Sequence, residues 1–302
     1  MVAKCSLDLW SEHYKIFYLF FHDYLNKNVQ TTSTQTRGLS YEIIGMRKNK
    51  LKEILAQGGT VTTGWLHIPN TWSAELMANA GWDAVTIDMQ HGLHNMETAM
   101  QMMQAISTTD TVPLARCNWN EPGPIMRLLD SGAYGIICPM INTKAECEKF
   151  VGACLYPPMG YRSFGPTRQR IYAGLDYGNH ANEETLVLAM IETKEAVENI
   201  EAICSVKGLD GIFVGSGDLK LSLTGKAGHG NTSTLFDEAI DKILASCQKH
   251  KIIPGIWCAS VETAKEQQAK GYRFIALKSD SMMLNEYARK LANELKTSMS
   301  GE

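Results

Sequence analysis

Eight short apolar runs alternate with amphipathic, capped stretches across residues 46–302. This alternation predicts an α/β protein closed as a (β/α)8 TIM barrel. Two further observations agree. The stretch is close to the ~250 residues such a barrel uses, and several of the runs stop in a polar or glycine-rich cluster, as strands do where a parallel sheet opens to ligands. An open dinucleotide-binding sheet is weakly supported. No Gly-x-Gly-x-x-Gly follows the first run, and the nearest approach, Gly215-Ser216-Gly217, lacks the third glycine.

The elements follow in order. Residues 47–57 form a short helix stopped by Gly58-Gly59, and 61–68 the first strand. A helix over 72–80, capped by Asn70 or Thr71 and closed by Gly81, leads to the second strand over 83–87. Met96, Ala99, Met100, Met103 and Ile106 recur at helical spacing, so 95–107 is an amphipathic helix whose methionine stripe reads as core. The third strand is 112–116. The next helix, 121–131, carries Pro122 near its start, where a missing N–H costs little. Strand four is 134–139, and its helix 143–153. A Gly/Pro-rich loop from Tyr156-Pro157-Pro158 to about His180 is long enough to be functional. Strand five over 186–192, with a helix over 193–206, and strand six over 211–215 come next. A helix over 234–250, strand seven over 252–258, a helix over 261–269, strand eight over 273–277 and a closing helix over 279–296 complete the chain.

Residues 1–45 differ. Ile16-Phe17-Tyr18-Leu19-Phe20-Phe21 is too short for a signal sequence, and Asp8 and Glu12 stand where a basic segment belongs. A polar tract, residues 30–36, follows. The segment reads as a poorly ordered extension ahead of Met46 as functional start. A docking helix for a partner is the sharper alternative, but nothing in the segment suggests chemistry. The net charge of −3, without a basic stripe, argues against nucleic acid. No apolar run reaches the ~18 residues of a membrane span. The eight cysteines are scattered, none in Cys-x-x-Cys, and several lie inside apolar runs. They read as reduced core residues of a cytoplasmic protein.

The polar residues past the strands carry the chemistry. Asp88 and His91 follow strand two, Arg116 ends strand three, Glu192 ends strand five, and Gly215-Ser216-Gly217-Asp218 follows strand six. In a barrel these ends share one face. Glu192 and Asp218 are the carboxylates that suit a hard cation such as Mg²⁺ or Mn²⁺. Arg116 offers a planar fork for a carboxylate or enolate oxygen. The amides around Gly217 and Asp218 suit an anionic group. His91 is of the residue type suited to move a proton in general acid–base chemistry, and Asp88 stands close enough in sequence to orient it. Together they suggest enolate chemistry. Each residue also has a structural reading: Glu192 or Asp218 as a helix cap, Arg116 as a barrel-mouth ion pair. The conjunction of four clusters on one rim favours the functional reading. His67, His94, His180 and His229 read as surface or packing histidines.

Residues 46–300 resemble the HpcH/HpaI aldolase (citrate lyase-like) family of class II pyruvate-dependent aldolases. The resemblance rests on Gly64-Trp65-Leu66, Asp88-Met89-Gln90-His91-Gly92, Arg116-Cys117-Asn118-Trp119-Asn120, Leu128-Leu129-Asp130-Ser131-Gly132-Ala133, Tyr156-Pro157-Pro158-Met159-Gly160-Tyr161-Arg162-Ser163, Ile191-Glu192-Thr193 and Gly215-Ser216-Gly217-Asp218-Leu219. It implies Glu192 and Asp218 as metal ligands for Mg²⁺ or Mn²⁺, with Co²⁺ a further candidate. It implies Arg116 as the group steadying a pyruvate enolate and His91 as base. Asp88 and Asp130 would support that histidine, Ser216, Gly217 and Asp218 would hold the pyruvate carboxylate, and Trp65 would form a pocket wall. The expected activity is reversible cleavage of a 4-hydroxy-2-oxo acid to pyruvate and an aldehyde. The alternatives are oxaloacetate decarboxylation, a macrophomate synthase-like bond formation on the same enolate, or a keto-acid-binding barrel without turnover. The resemblance also implies a homo-oligomer, a hexamer built as a trimer of dimers, whose closing helix packs on a neighbouring barrel. Two positions depart from the family: Gln90 where an acid is common, and Met190 where some members carry glutamine.

Overall fold

The computed structural model describes residues 46–227 and 233–300. Within them eight parallel strands close into a barrel in sequence order. They are β1 (Val61–Leu66), β2 (Ala84–Asp88), β3 (Val112–Arg116), β4 (Gly135–Cys138), β5 (Leu186–Ile191), β6 (Gly211–Val214), β7 (Ile253–Cys258) and β8 (Phe274–Ser279). β1 pairs with β8 to complete the ring. The helices are α1 (Lys50–Ala56), α2 (Thr71–Ala78), α3 (Met96–Ile106), α4 (Pro122–Ser131), α5 (Lys144–Cys154), α6 (Gln169–Ala173), α7 (Tyr177–Glu184), α8 (Lys194–Glu198), α9 (Ile200–Cys204), α10 (Ser216–Thr224), α11 (Thr234–His250), α12 (Val261–Lys270) and α13 (Asp280–Ser300). The expected extension over residues 1–45, and His229, lie outside the described residues.

Most strands are apolar on both sides because both sides are covered, β1 (VTTGWL) being the exception. In β5, Leu186, Leu188 and Met190 face the barrel interior with Trp65, Leu114, Phe213 and Phe274. Val187, Ala189 and Ile191 between them pack outward with the helices. Alternation therefore sorts side chains into two cores while the sequence shows a continuous run. The helices start where side chains satisfy their first N–H groups. Asn70 accepts from Trp72 N at 2.8 Å and Asn95 from Thr98 N at 2.8 Å. Thr143 and Glu146 form a reciprocal capping box.

The sequence-based expectations change in three places. The segment expected as a loop to His180 contains α6 and the first half of α7. Their buried residues, Gln169, Ala173, Tyr177 and Ala181, are too mixed in polarity to show an apolar period. The helix expected over 193–206 breaks at Asn199 into α8 and α9. Asp218, whose structural reading is a helix cap, lies inside the first turn of α10, which is nine residues long and begins at Ser216. Among the described residues no helix is long and apolar enough to cross a membrane.

Candidate active site

The C-terminal ends of β1, β2, β3, β6 and β8 open onto a cavity of about 380 Å³. Its polar groups are His67, His91, Arg116, Ser216, Asp218 and Ser279, and its walls include Trp65, Met190, Phe213 and Trp257. Strand ends separated by more than a hundred residues thus meet at one mouth.

Asp88 is fully buried at the end of β2. Its Oδ1 accepts from Arg116 Nε at 2.8 Å and its Oδ2 from Arg116 Nη2 at 2.5 Å. The register that pairs Asp88 with Arg116 across β2 and β3 places them side by side. Oδ1 also receives the main-chain N–H groups of Gln90 at 3.1 Å and His91 at 3.3 Å. His67 Nε2 lies 2.8 Å from Oδ2. Burial alone would raise this carboxyl, but the hydrogen bonds and charges of His67 and Arg116 outweigh it and hold it well below the usual carboxylate range. Arg116 is gripped on a second side, its Cζ lying 4.5 Å from the Trp65 ring centroid. With Nε and Nη2 committed to Asp88, Nη1 is the end presented to the cavity, 3.8 Å from Met190 Sδ.

Glu192 follows β5 and is buried. It does not cap α8, because Thr193 does so, accepting from Ala196 N at 3.0 Å. Its Oε1 accepts from Met140 N at 2.7 Å. Met140 itself has φ 55°, an unusual backbone state for a side chain of its size. Oε2 is buried and has no hydrogen-bond partner among the described residues. Burial, with the Asp218 charge adding to it, pushes the Glu192 carboxyl up to about 7 against the pull of Met140 N–H and Arg116. The space at Oε2 exists because residue 215 is glycine. A Cβ there would lie 2.5 Å from Oε2 and 2.6 Å from Met190 Cε. Gly215 precedes α10, so Ser216, Gly217 and Asp218 form the first helical turn, where N–H groups lack intrahelical acceptors.

The orphan Oε2, the adjacent Asp218 carboxylate and the gap left by Gly215 fit a hard cation. Among the described residues no group of three or more His, Cys, Asp or Glu could hold a metal unaided. A two-carboxylate site therefore leaves its other positions to water and substrate oxygens, as Mg²⁺-type sites do.

His91, Arg116, Trp65, Ser216, Gly217 and Asp218 all reach the cavity, and Asp88 and Glu192 lie buried beside it. Within a single chain, Asp88, Asp130 and His67 stand otherwise than expected. Asp88 does not back the His91 imidazole. Its oxygens are taken by Arg116 and His67, and it meets His91 through the main-chain N–H. Asp130, on α4, is absent from the cavity lining. Its Oδ1 takes Arg162 Nη2 at 2.6 Å, because a helix outside the strand ring points it at the loop after α5. The Ser216 hydroxyl donates to Trp257 O at 2.7 Å, which leaves its main-chain N–H for a ligand. His67, read as a packing or surface residue, lies in the site. The signal was its position one residue past Leu66, which pairs with Ile87, so that His67 falls beside Asp88. His94 is a packing residue, with Nε2 2.9 Å from Leu66 O, and His180 is an exposed one. Met140 carried no sequence signal.

The chain matches the HpcH/HpaI aldolase/citrate lyase family over residues 62–286. It is 38% identical over 247 residues to the hydroxypyruvate/pyruvate aldolase of Rhizorhabdus wittichii, covering 80% of this chain and 97% of that protein. It is 35% identical over 250 residues to the 4-hydroxy-2-oxo-heptane-1,7-dioate aldolase of Salmonella dublin, covering 81% and 94%. Among solved structures, an HpcH/HpaI aldolase/citrate lyase family protein from Burkholderia cenocepacia superposes with a TM-score of 0.77 at 27% identity, over 82% of this chain and 99% of that one. Barrel and rim define an enzyme that works at the C-terminal mouth of a parallel barrel. The chain belongs to the HpcH/HpaI aldolase/citrate lyase family.

Proposed function

We propose that this enzyme is a metal-dependent aldolase that reversibly cleaves a 4-hydroxy-2-oxo acid to pyruvate and an aldehyde. The observation that carries the reading is the buried, unpartnered Oε2 of Glu192 beside Asp218, at the mouth where Arg116 and His91 meet. The names of the Rhizorhabdus and Salmonella relatives support the substrate class. Glu192 and Asp218 would hold Mg²⁺ or Mn²⁺, which supplies the Lewis acidity that polarises a 2-oxo group. The first-turn amides of α10 receive the substrate carboxylate. Arg116 Nη1 faces the oxygen that gains charge. His91, exposed at the rim, accepts the C4 hydroxyl proton. As the C4 oxygen becomes a carbonyl, the C3–C4 bonding pair passes toward the 2-oxo group, and protonation at C3 then gives pyruvate.

The same reading extends to the assembly and its compartment. Leu284, Leu291, Leu295 and Met299 form an exposed apolar stripe along α13, which favours a homo-oligomer, a hexamer by family resemblance. The seven described cysteines are free and buried, as suits a reducing cytoplasm. Arg116→Ala and Glu192→Gln are expected to abolish pyruvate release with circular dichroism unchanged. Wild-type rates in either variant would refute the assignment.

A further inference from the structure

His67 is the unassigned titratable group that reaches furthest into the site. It follows β1, is partly exposed, and lines the cavity beside His91 and Arg116. Its Nε2 lies 2.8 Å from Asp88 Oδ2, the oxygen that also takes Arg116 Nη2 at 2.5 Å. A carboxylate can only accept, so the proton of this contact is on Nε2. The ring is anchored at its own end. The His67 main-chain N–H donates to Asp280 Oδ1 at 2.8 Å, and Nδ1 lies 3.5 Å from Ser281 Oγ. Two residues earlier on the same strand, Trp65 lies against the guanidinium face of Arg116. β1 therefore holds Arg116 twice: by the face through Trp65, and by the edge through His67 and Asp88.

We propose that His67 is a positioning residue of the reaction, which pins Asp88 and so fixes the reach of Arg116 toward the 2-oxo acid. This rests on the enolate reading of Arg116 given above. Without the His67 bond, Oδ2 loses a donor, the carboxylate can rotate, and the Arg116 edge turns with it. His67 itself need not touch substrate. A hydrogen bond to a charged group contributes enough that its loss reads as about a tenfold change or more.

The test compares wild type with His67→Ala and His67→Gln in the full chain, since glutamine places an amide N–H near the site of Nε2. Two quantities are read: the exchange protection of the Arg116 Nε–H by ¹H–¹⁵N NMR, and kcat and KM for pyruvate release from the best 4-hydroxy-2-oxo acid of a panel. His67→Ala is expected to lose the protection and to lower kcat about tenfold, with KM and the thermal midpoint little changed. His67→Gln is expected to restore both to within about threefold of wild type. Unchanged Nε–H protection in His67→Ala, or no recovery in His67→Gln, would overturn the proposal. If wild type released no pyruvate from any such acid, the enolate reading would fall, and the Nε–H comparison would still decide whether His67 holds Arg116.

Discussion

Asp88 and Glu192 are both buried carboxylates, and their surroundings drive them in opposite directions. Asp88 is surrounded by donors and stays ionised, whereas Glu192 has one N–H, one orphan oxygen and a carboxylate neighbour. The consequence for stability can be given a sign. Between the ordinary value of 4.5 and its folded value of about 7, Glu192 binds more proton in the folded protein than in the unfolded one. Stability of the chelated protein should therefore fall as pH rises through that window, by at most on the order of 3 kcal/mol. Asp88 acts the other way, its contribution being lost on acidification. Thermal midpoints of chelated protein at pH values of about 5 and about 7.5 check this. Glu192→Gln should flatten the decline, and an equal decline in that variant would exclude Glu192 as its source. At this scale Asp88, Arg116, Glu192 and Asp218 were legible in the sequence because each stands at or just past the end of an apolar run. His67 was not, since the apolar neighbours Leu66 and Ile68 hide it inside the expected first strand, and its partner appears only once β1 and β2 are in register.

The junctions between elements build the cradle proposed for a cation. Thr193 caps α8 and so frees Glu192, while Gly215 ahead of α10 leaves room for the Glu192 oxygen. Gly215→Ala should fill that room, because its Cβ would stand 2.5 Å from Oε2 and 2.9 Å from Glu192 Cβ. Mn²⁺ affinity measured by calorimetry should drop at least about tenfold with secondary structure retained. Affinity equal to wild type would place the cation elsewhere. The strands were legible nearly residue by residue, since burial on both faces writes most of them as continuous apolar runs. The two short helices after the Pro157-Pro158 loop were not. Their buried faces include Gln169 and Tyr177, so burial there does not coincide with hydrophobicity.

At the scale of the molecule, barrel closure was legible from the count and alternation of runs, and it is closure that makes distant strand ends neighbours. The closing helix is where the homo-oligomer proposed above would form its contact. Of the 21 residues in α13 only Asp280 is buried, and an apolar stripe runs outward along its length. The paired change Leu291→Glu and Leu295→Glu should lower the mass found by light scattering relative to wild type, and an unchanged mass would remove this stripe from the assembly interface. Every step proposed for this enzyme depends on the metal-dependent enolate site. The most direct measurement of it is pyruvate release from a panel of 4-hydroxy-2-oxo acids and oxaloacetate, first after chelation and then with Mg²⁺ or Mn²⁺ restored. The expected result is release from a hydroxy-oxo acid that chelation removes and metal returns. Release that ignores chelation, or release from oxaloacetate alone, would contradict it.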